Sequence, residues 1–312
     1  MFMDYKKFIE EQIAAIKKTV GKEKAINALS GGVDSSVVTV LGHRAIGDQL
    51  RTVFVDNSLM RKDEPQKVVK TFSAMGIKAE PVDARGEFLS ALAGLTDPEE
   101  KRQAITDTFY SKVFGRLAKK SGAKFLLHGT ILTDIEETVA GIKRQHNILT
   151  QMGIDTKEAY GYSVVEPLAT LRKDDVREVG KLLGLPREIY QRIPFPGPAL
   201  AARIVGEVTE GKLETVRQAT AIVEEELAES GAFQYLAVLL NDYATGIRDN
   251  KREFGQIIVV RCIESTDART ASVTKLPWDK LNRICERITA IKGVNRCLYD
   301  LTPKPPATVE YI

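Results

Sequence analysis

The chain has 312 residues, 43% apolar and 28% charged, enough to bury one large core or two moderate ones. Its 45 Lys and Arg stand against 42 Asp and Glu, a net charge of +3 that gives no compositional reason to coat nucleic acid. Three scattered cysteines without a C-x-x-C spacing, no long apolar run and no apolar leader after Met1 exclude a disulfide scaffold, a zinc ribbon, a membrane protein and a secreted one, leaving a cytoplasmic location as the expectation.

In chain order, Phe8, Ile9, Ile13, Ala14 and Ile16 recur at helical spacing and predict a helix over Tyr5–Thr19. Lys24–Leu29 is a short apolar run suited to a buried strand, and Val37–Ile46 is helical. Arg51–Asp56 has the β-branched and aromatic content of a strand. A helix over Glu64–Met75, a strand over Ile77–Val82, a long helix over Lys101–Ser121 and a strand over Lys124–His128 follow. Strands and helices alternating at these lengths predict a doubly wound, mostly parallel sheet covered on both faces.

Pro194, Pro196 and Pro198 fall within five residues and cannot continue a helix or a central strand. A domain boundary is therefore expected there, dividing the chain into 1–193 and 194–312. The second part offers a helix over Leu213–Ser230, a strand over Gln256–Ile263, a helix over Trp278–Ile291, and short apolar segments at Cys297–Leu301 and Val309–Ile312. That order predicts a smaller α+β domain.

The sharpest chemical signal is Ser30-Gly31-Gly32-Val33-Asp34-Ser35-Ser36, between the first strand and the next helix. An α/β sheet binds ligands at that end of its strands. Two adjacent glycines let backbone N–H groups form a nest, and the helix N-terminus adds partial positive charge, so the turn suits a phosphate. The serines offer hydroxyl donors, and Asp34 can hold Mg²⁺ against a bound anion. The string is not a Walker A loop, because no G-x-x-x-x-G-K-[ST] occurs.

This loop resembles the pyrophosphate loop of the N-type ATP pyrophosphatases, which cleave ATP to AMP and pyrophosphate while adenylating a substrate. The order of Val53-Phe-Val-Asp-Asn57, Phe88–Gly94, Asp97–Arg102, Gly129-Thr-Ile131, Glu166-Pro-Leu168, Pro194–Pro198 and Lys304-Pro-Pro-Ala-Thr308 is similar to the ATP-pyrophosphatase portion of the GMP synthetases. The resemblance implies an adenine nucleotide α-hydrolase-like fold and a C-terminal dimerisation domain. It also implies a reaction in which XMP is adenylated and ammonia then displaces AMP to give GMP.

By position, it implies ATP contacts at Ser30, Gly31, Gly32, Val33, Asp34, Ser35, Ser36, Val55 and Gly129, with Mg²⁺ at Asp34. Glu137 and Lys143 would lie in a lid and act catalytically with Asp34, and Arg192, Lys304, Thr308 and Glu310 would hold XMP. A homodimer is implied, as is a separate glutamine amidotransferase subunit supplying ammonia, since no upstream glutaminase domain is seen. Lys143-Arg-Gln-His-Asn147 departs from the family lid, and Ile193 and Ala199 stand where the family pattern has His and Gly. Two alternatives share the loop: a paralogue adenylating a different oxo-substrate, and a non-catalytic nucleotide-binding regulatory subunit.

Overall fold

The computed structural model describes residues 3–139, 161–266 and 269–311. They form two compact units, one of residues 1–56, 64–84 and 106–192, the other of residues 57–63, 85–105 and 193–312.

The first unit is built on a five-stranded sheet of β1 (Ala25–Ala28), β2 (Leu50–Asp56), β3 (Ala79–Asp83), β4 (Phe125–Leu127) and β5 (Ser163–Val165). All four pairings are parallel, and the strand order is β3-β2-β1-β4-β5. The order reverses direction between β1 and β4, which opens a crevice beyond the carboxyl ends of those two strands. Helix α1 (Tyr5–Val20) begins where the Asp4 carboxylate accepts from Lys6 and Lys7 N–H, and it buries Phe8, Ile9, Ile16 and Val20 on one stripe.

Helix α2 (Val33–Ile46) starts four residues earlier than its sequence predicts, inside the glycine loop. Val37, Val38 and Leu41 on it are fully buried, so it is a core helix rather than an amphipathic surface one. Helix α3 (Glu64–Ala74) packs on β3 and β2. The long helix expected over Lys101–Ser121 is interrupted: an α-helix over Pro98–Asp107 runs into a π-helical stretch at Thr108–Phe114 before α-helix resumes at Gly115–Ser121.

In the second unit, the helix Glu210–Leu227 buries Leu213, Val216, Ala219, Val223 and Leu227 against a long hairpin of β6 (Gln234–Arg248) and β7 (Lys251–Glu264). β8 (Ser272–Val273) pairs antiparallel with β7, and β9 (Val294–Tyr299) pairs parallel with it. The apolar segment expected at Val309–Ile312 makes no strand over its described residues. The stretch 57–63 belongs to this unit because Arg217 of the long helix donates to the carbonyls of Met60 at 3.1 Å and Ser58 at 2.7 Å. The N–H of Leu200 adds a bond to the Leu59 carbonyl at 2.9 Å. Phe195 of the proline segment lies under two guanidinium groups, 3.8 Å from Arg61 and 4.8 Å from Arg203.

Ala199 explains one departure from the family pattern. Its φ is +55°, a left-handed conformation in which glycine carries no Cβ penalty, and it is buried. Replacing Ala199 by Val should cost about 2 kcal/mol or more, because a branched side chain adds both strain and bulk. The Ala199→Gly change should stay within about 1 kcal/mol of the original. Urea unfolding of the two variants checks this, and equal stabilities would refute it.

Lys101 is only 2% exposed, and its Nζ donates to the carbonyls of Ile204 at 2.8 Å and Gly206 at 3.0 Å. Burial pulls its pKa down to about 8, Lys212 adding to the shift and Asp97 opposing it. The unfolded chain, with a lysine near 10.4, binds more protons than the folded chain between about 8 and about 10.4. Stability should therefore rise as pH goes from about 8 to about 10.4, because a charged buried ammonium is relieved. Urea midpoints of the protein and its Lys101→Met variant at pH 7.5 and 9.5 test the sign. The unsubstituted protein should gain relative to the variant at the higher pH, and no relative gain would refute it.

Candidate active site

The site is built beneath the glycine loop before it is built within it. Three buried polar side chains tie β1, β2 and α2 together: Thr52 Oγ1 donates to Asn27 Oδ1 at 2.8 Å, and Asn27 Nδ2 donates to Thr39 Oγ1 at 2.6 Å. Thr39 Oγ1 in turn donates to the Ser35 carbonyl at 2.7 Å. These residues are at most 3% exposed, so each bond works in a low-dielectric setting and fixes the start of α2 against the strands.

Above this ladder the loop holds itself in shape. Ser35 Oγ donates to the Gly32 carbonyl at 3.1 Å and accepts from the Ser30 N–H at 3.2 Å. The hydroxyls of Ser30 and Ser35 are 3.0 Å apart, and the Gly32 N–H reaches Ser30 Oγ at 3.4 Å. Gly32 is the residue preceding α2 and offers no side-chain cap, so the first amides of the helix keep their donors for another partner. Gly31 takes φ +79°. Arg192 Nη1 donates to the Gly31 carbonyl at 2.8 Å, and Arg192 Nη2 pairs with the buried Glu64 carboxylate. With that carbonyl tied back, the turn is set to present to an anion those N–H groups that the loop does not use itself.

Asp34 stands in the first turn of α2, where the helix dipole favours a carboxylate. Its Oδ2 accepts from Lys173 Nζ at 2.6 Å, while Oδ1 is buried with no hydrogen-bond partner among the described residues. Ser36 Oγ is likewise buried and unpartnered there. Gly129, just beyond β4, presses on the same point. A Cβ on it would lie 3.2 Å from the Asp34 carbonyl carbon and the Ser35 nitrogen, so only glycine lets the strand exit approach α2 this closely.

A second polar chain follows β4. Thr130 Oγ1 donates to Glu166 Oε1 at 2.6 Å and lies 2.7 Å from His128 Nδ1. Because that hydroxyl already donates its proton, His128 Nδ1 is the donor of the second bond. Nε2 then faces the Tyr110 hydroxyl at 3.5 Å. Burial pushes the Tyr110 phenol well above its ordinary pKa, so it stays protonated.

The expected ATP residues Ser30, Gly31, Gly32, Val33, Asp34, Ser35 and Ser36 thus form one turn, with Gly129 against it and Val55 buried in β2. Arg192 sits with Gly31 and Glu64 in the first unit. Lys304, Thr308 and Glu310 lie in the tail of the second. There Lys304 bridges Ala271 through both backbone groups, at 2.8 and 3.0 Å. Glu310 accepts from Arg203 at 3.1 and 3.2 Å and from Gln234 at 2.7 Å. Glu137 lies on the helix Leu132–Val139, and Lys143 lies outside the described residues. Sequence reasoning missed Lys173, Glu64 and the Asn27–Thr39–Thr52 ladder, whose members are separated along the chain and meet only through the sheet order.

Among the described residues no three His, Cys, Asp or Glu side chains cluster as a metal cage, and no helix is long and apolar enough to cross a membrane. The family described as NAD synthase matches residues 2–197, and that described as GMP synthase C terminal domain matches residues 221–311. A glutamine-hydrolyzing GMP synthase subunit of Archaeoglobus fulgidus is 51% identical over 310 residues, covering 99% of this chain and 100% of that protein. The same subunit from Methanothermobacter thermautotrophicus and from Pyrococcus horikoshii is 50% and 49% identical, covering 97% and 99% of this chain and 98% and 100% of its own length. A nucleotide-type glycine turn on a β3-β2-β1-β4-β5 parallel sheet, continuous with a C-terminal domain of matching type, places this chain in the family of these GMP synthase subunits.

Proposed function

We propose that the chain is an AMP-forming ligase that aminates XMP to GMP with ATP. The observation that carries this reading is the self-braced Ser30–Ser36 turn at the strand-order reversal, in a chain related over its full length to GMP synthase subunits. The turn's remaining amides, braced by the Ser30 and Ser35 hydroxyls, hold the β,γ-pyrophosphate as leaving group, which leaves the α-phosphorus open. The XMP 2-oxo oxygen attacks it, pyrophosphate departs, and ammonia adds at C2 of the purine, the carbon that bears the adenylated oxygen. AMP then leaves with that oxygen as a proton is lost. Fixed N–H donors aimed at the leaving group stabilise its growing charge without reorganising.

Asp34 fits a divalent metal: its Oδ1 is a buried carboxylate oxygen with no hydrogen-bond partner among the described residues. Mg²⁺ binds through one or two carboxylates with phosphate oxygens completing its shell, which agrees with the lack of a protein-only cage among the described residues. When bound, Mg²⁺ would neutralise phosphate charge. Val55 and Gly129 border the nucleotide, and Glu137 and Lys143 are assigned to the triphosphate by their match to the family's lid segment. Lys304, Thr308 and Glu310 hold XMP, while Arg192 acts through Gly31 and shapes the loop.

In this reading residues 1–193 are the ATP-pyrophosphatase domain, and 194–312 contact substrate and pair two chains in a cytoplasmic homodimer. Tyr243, Ile247 and Phe254, 59, 80 and 75% exposed, share one face of the β6–β7 hairpin, as a pairing surface requires. Ammonia comes from a separate glutamine amidotransferase subunit. Chromatography of nucleotides after incubation with ATP, Mg²⁺ and ammonium, with and without XMP, tests the reaction. XMP-dependent pyrophosphate with equal AMP and GMP is expected, and ATP binding without XMP-dependent turnover would overturn it.

A further inference from the structure

Lys173 lies outside the glycine loop and 139 residues from Asp34, yet its Nζ is 2.6 Å from Asp34 Oδ2. It opens the helix Lys173–Leu182, which packs against α2, so the fold and not a local motif delivers the contact. The two oxygens of Asp34 therefore differ. Oδ2 has an ammonium partner, whereas Oδ1 is buried and has none among the described residues. A buried carboxylate oxygen without a donor is a costly arrangement in a folded protein, and it marks where a ligand's positive charge belongs.

The ammonium and a metal would compete for this one carboxylate. A divalent cation approaching Oδ1 in the absence of nucleotide meets the charge of Lys173 a few ångströms away, and that repulsion weakens its binding. A polyphosphate reverses the balance, because its negative charge can be shared by both cations. Lys173 has the freedom for that exchange, since its side chain is 44% exposed while that of Asp34 is 26% exposed. We propose that Lys173 is a positioning residue that holds Asp34 in the nucleotide-free protein and makes metal binding at Asp34 contingent on nucleotide, so that the metal enters with ATP and not before it. This rests on reading the Ser30–Ser36 turn as the ATP site.

Titration of the full chain with Mn²⁺, followed by electron paramagnetic resonance without XMP or ammonia, tests it. The unsubstituted protein should bind free Mn²⁺ weakly. Lys173→Met should bind it about tenfold more tightly or better, because the opposing charge is gone. Lys173→Gln, which keeps a donor to Asp34 but no charge, should behave like Lys173→Met. Lys173→Arg should behave like the original. Adding Asp34→Asn to Lys173→Met should abolish the gain. In the same titration with ATP, the advantage that nucleotide gives to Mn²⁺ should shrink in both uncharged variants.

Equal Mn²⁺ affinity in the original, Lys173→Met and Lys173→Gln proteins would overturn the proposal, as would a gain that survives Asp34→Asn. Failure of the original protein to bind ATP at all would instead sink the reading of the turn, so the two failures are separable.

Discussion

Replacing Arg261 by methionine is expected to cost about 3–5 kcal/mol of folding stability. Arg261 is fully buried in β7, and its guanidinium is the internal anchor of the C-terminal tail. Nη1 donates to Asp300 Oδ2 and to the Thr302 carbonyl, both at 2.7 Å. Nη2 donates to the Thr308 carbonyl at 3.0 Å, and Nε donates to the Val309 carbonyl at 3.2 Å. Methionine fills part of the volume but leaves three carbonyls without their donor and the Asp300 carboxylate without its counter-charge, and it is these deserted partners that make the loss large.

Asp300 shows the same balance from its own side. Burial alone would raise its pKa, but bonds from Thr302 and Tyr311 and the charge of Arg261 outweigh burial and hold it below the usual carboxylate range. With Arg261 gone that depression weakens, so the variant's deficit should shrink as pH falls and Asp300 is protonated in both proteins. Urea unfolding of the two proteins at pH 7 and at stepwise lower pH, through the usual Asp value of about 3.9 and below it, measures both effects. A loss below about 1 kcal/mol at pH 7 would mean the tail is held by other contacts. Because the XMP contacts proposed at Lys304, Thr308 and Glu310 sit on that tail, XMP affinity should fall with it, which separates an anchoring role from simple core filling.

The anchor was invisible in the sequence, while much around it was not. Arg261 sits in an apolar run, Ile257 to Ile263, that reads correctly as a strand, but its partners lie 39 to 48 residues away in a stretch without regular structure. Val309–Ile312 looks strand-like by composition, yet the Val309 carbonyl goes to Arg261 instead of a strand neighbour. The parallel sheet and the phosphate turn were legible because both are local: short β-branched runs, helical periodicity, and glycines between them. The seven-residue turn carries its own geometry in its own residues.

The β6 strand was missed because its second half, Asn241-Asp-Tyr-Ala-Thr-Gly246, has poor strand propensity and contains a register shift between Leu239 and Tyr243. A signal did exist. Asp249 and Asn250 take φ of +50° and +60°, the hairpin-turn conformation these residue types favour, between strands of matching length. Pairs such as Lys173–Asp34 and Arg192–Glu64 had no such signal, since charged side chains 139 and 128 residues apart meet only once the sheet order is known.

Gly31 joins the legible turn to the hidden clamp, and substituting it should abolish most activity without unfolding the protein. An alanine there must hold φ near +79°, which costs about 1–2 kcal/mol for any residue with a Cβ. Its Cβ would also lie 2.8 Å from Val68 Cγ2, 3.2 Å from Arg192 Nη1 and 3.4 Å from Glu64 Oε1. Arg192 and Glu64 have little room to yield, being 19 and 7% exposed and bonded to each other. The strain is therefore released by moving the Gly31 peptide, the group whose carbonyl Arg192 holds. That turns the loop amides away from the leaving pyrophosphate. A misplacement of about 1 Å in such a site costs roughly 100-fold, so kcat/KM for ATP should fall about that much in XMP-dependent pyrophosphate release. The melting temperature should drop by only several degrees, as suits a local penalty of that size. Arg192→Lys, which cannot span Gly31 and Glu64 with one planar fork, should show a smaller loss of the same kind, about tenfold. Unchanged kcat/KM in Gly31→Ala would mean the turn does not grip pyrophosphate. A loss of activity in step with global unfolding would instead make Gly31 a folding requirement alone.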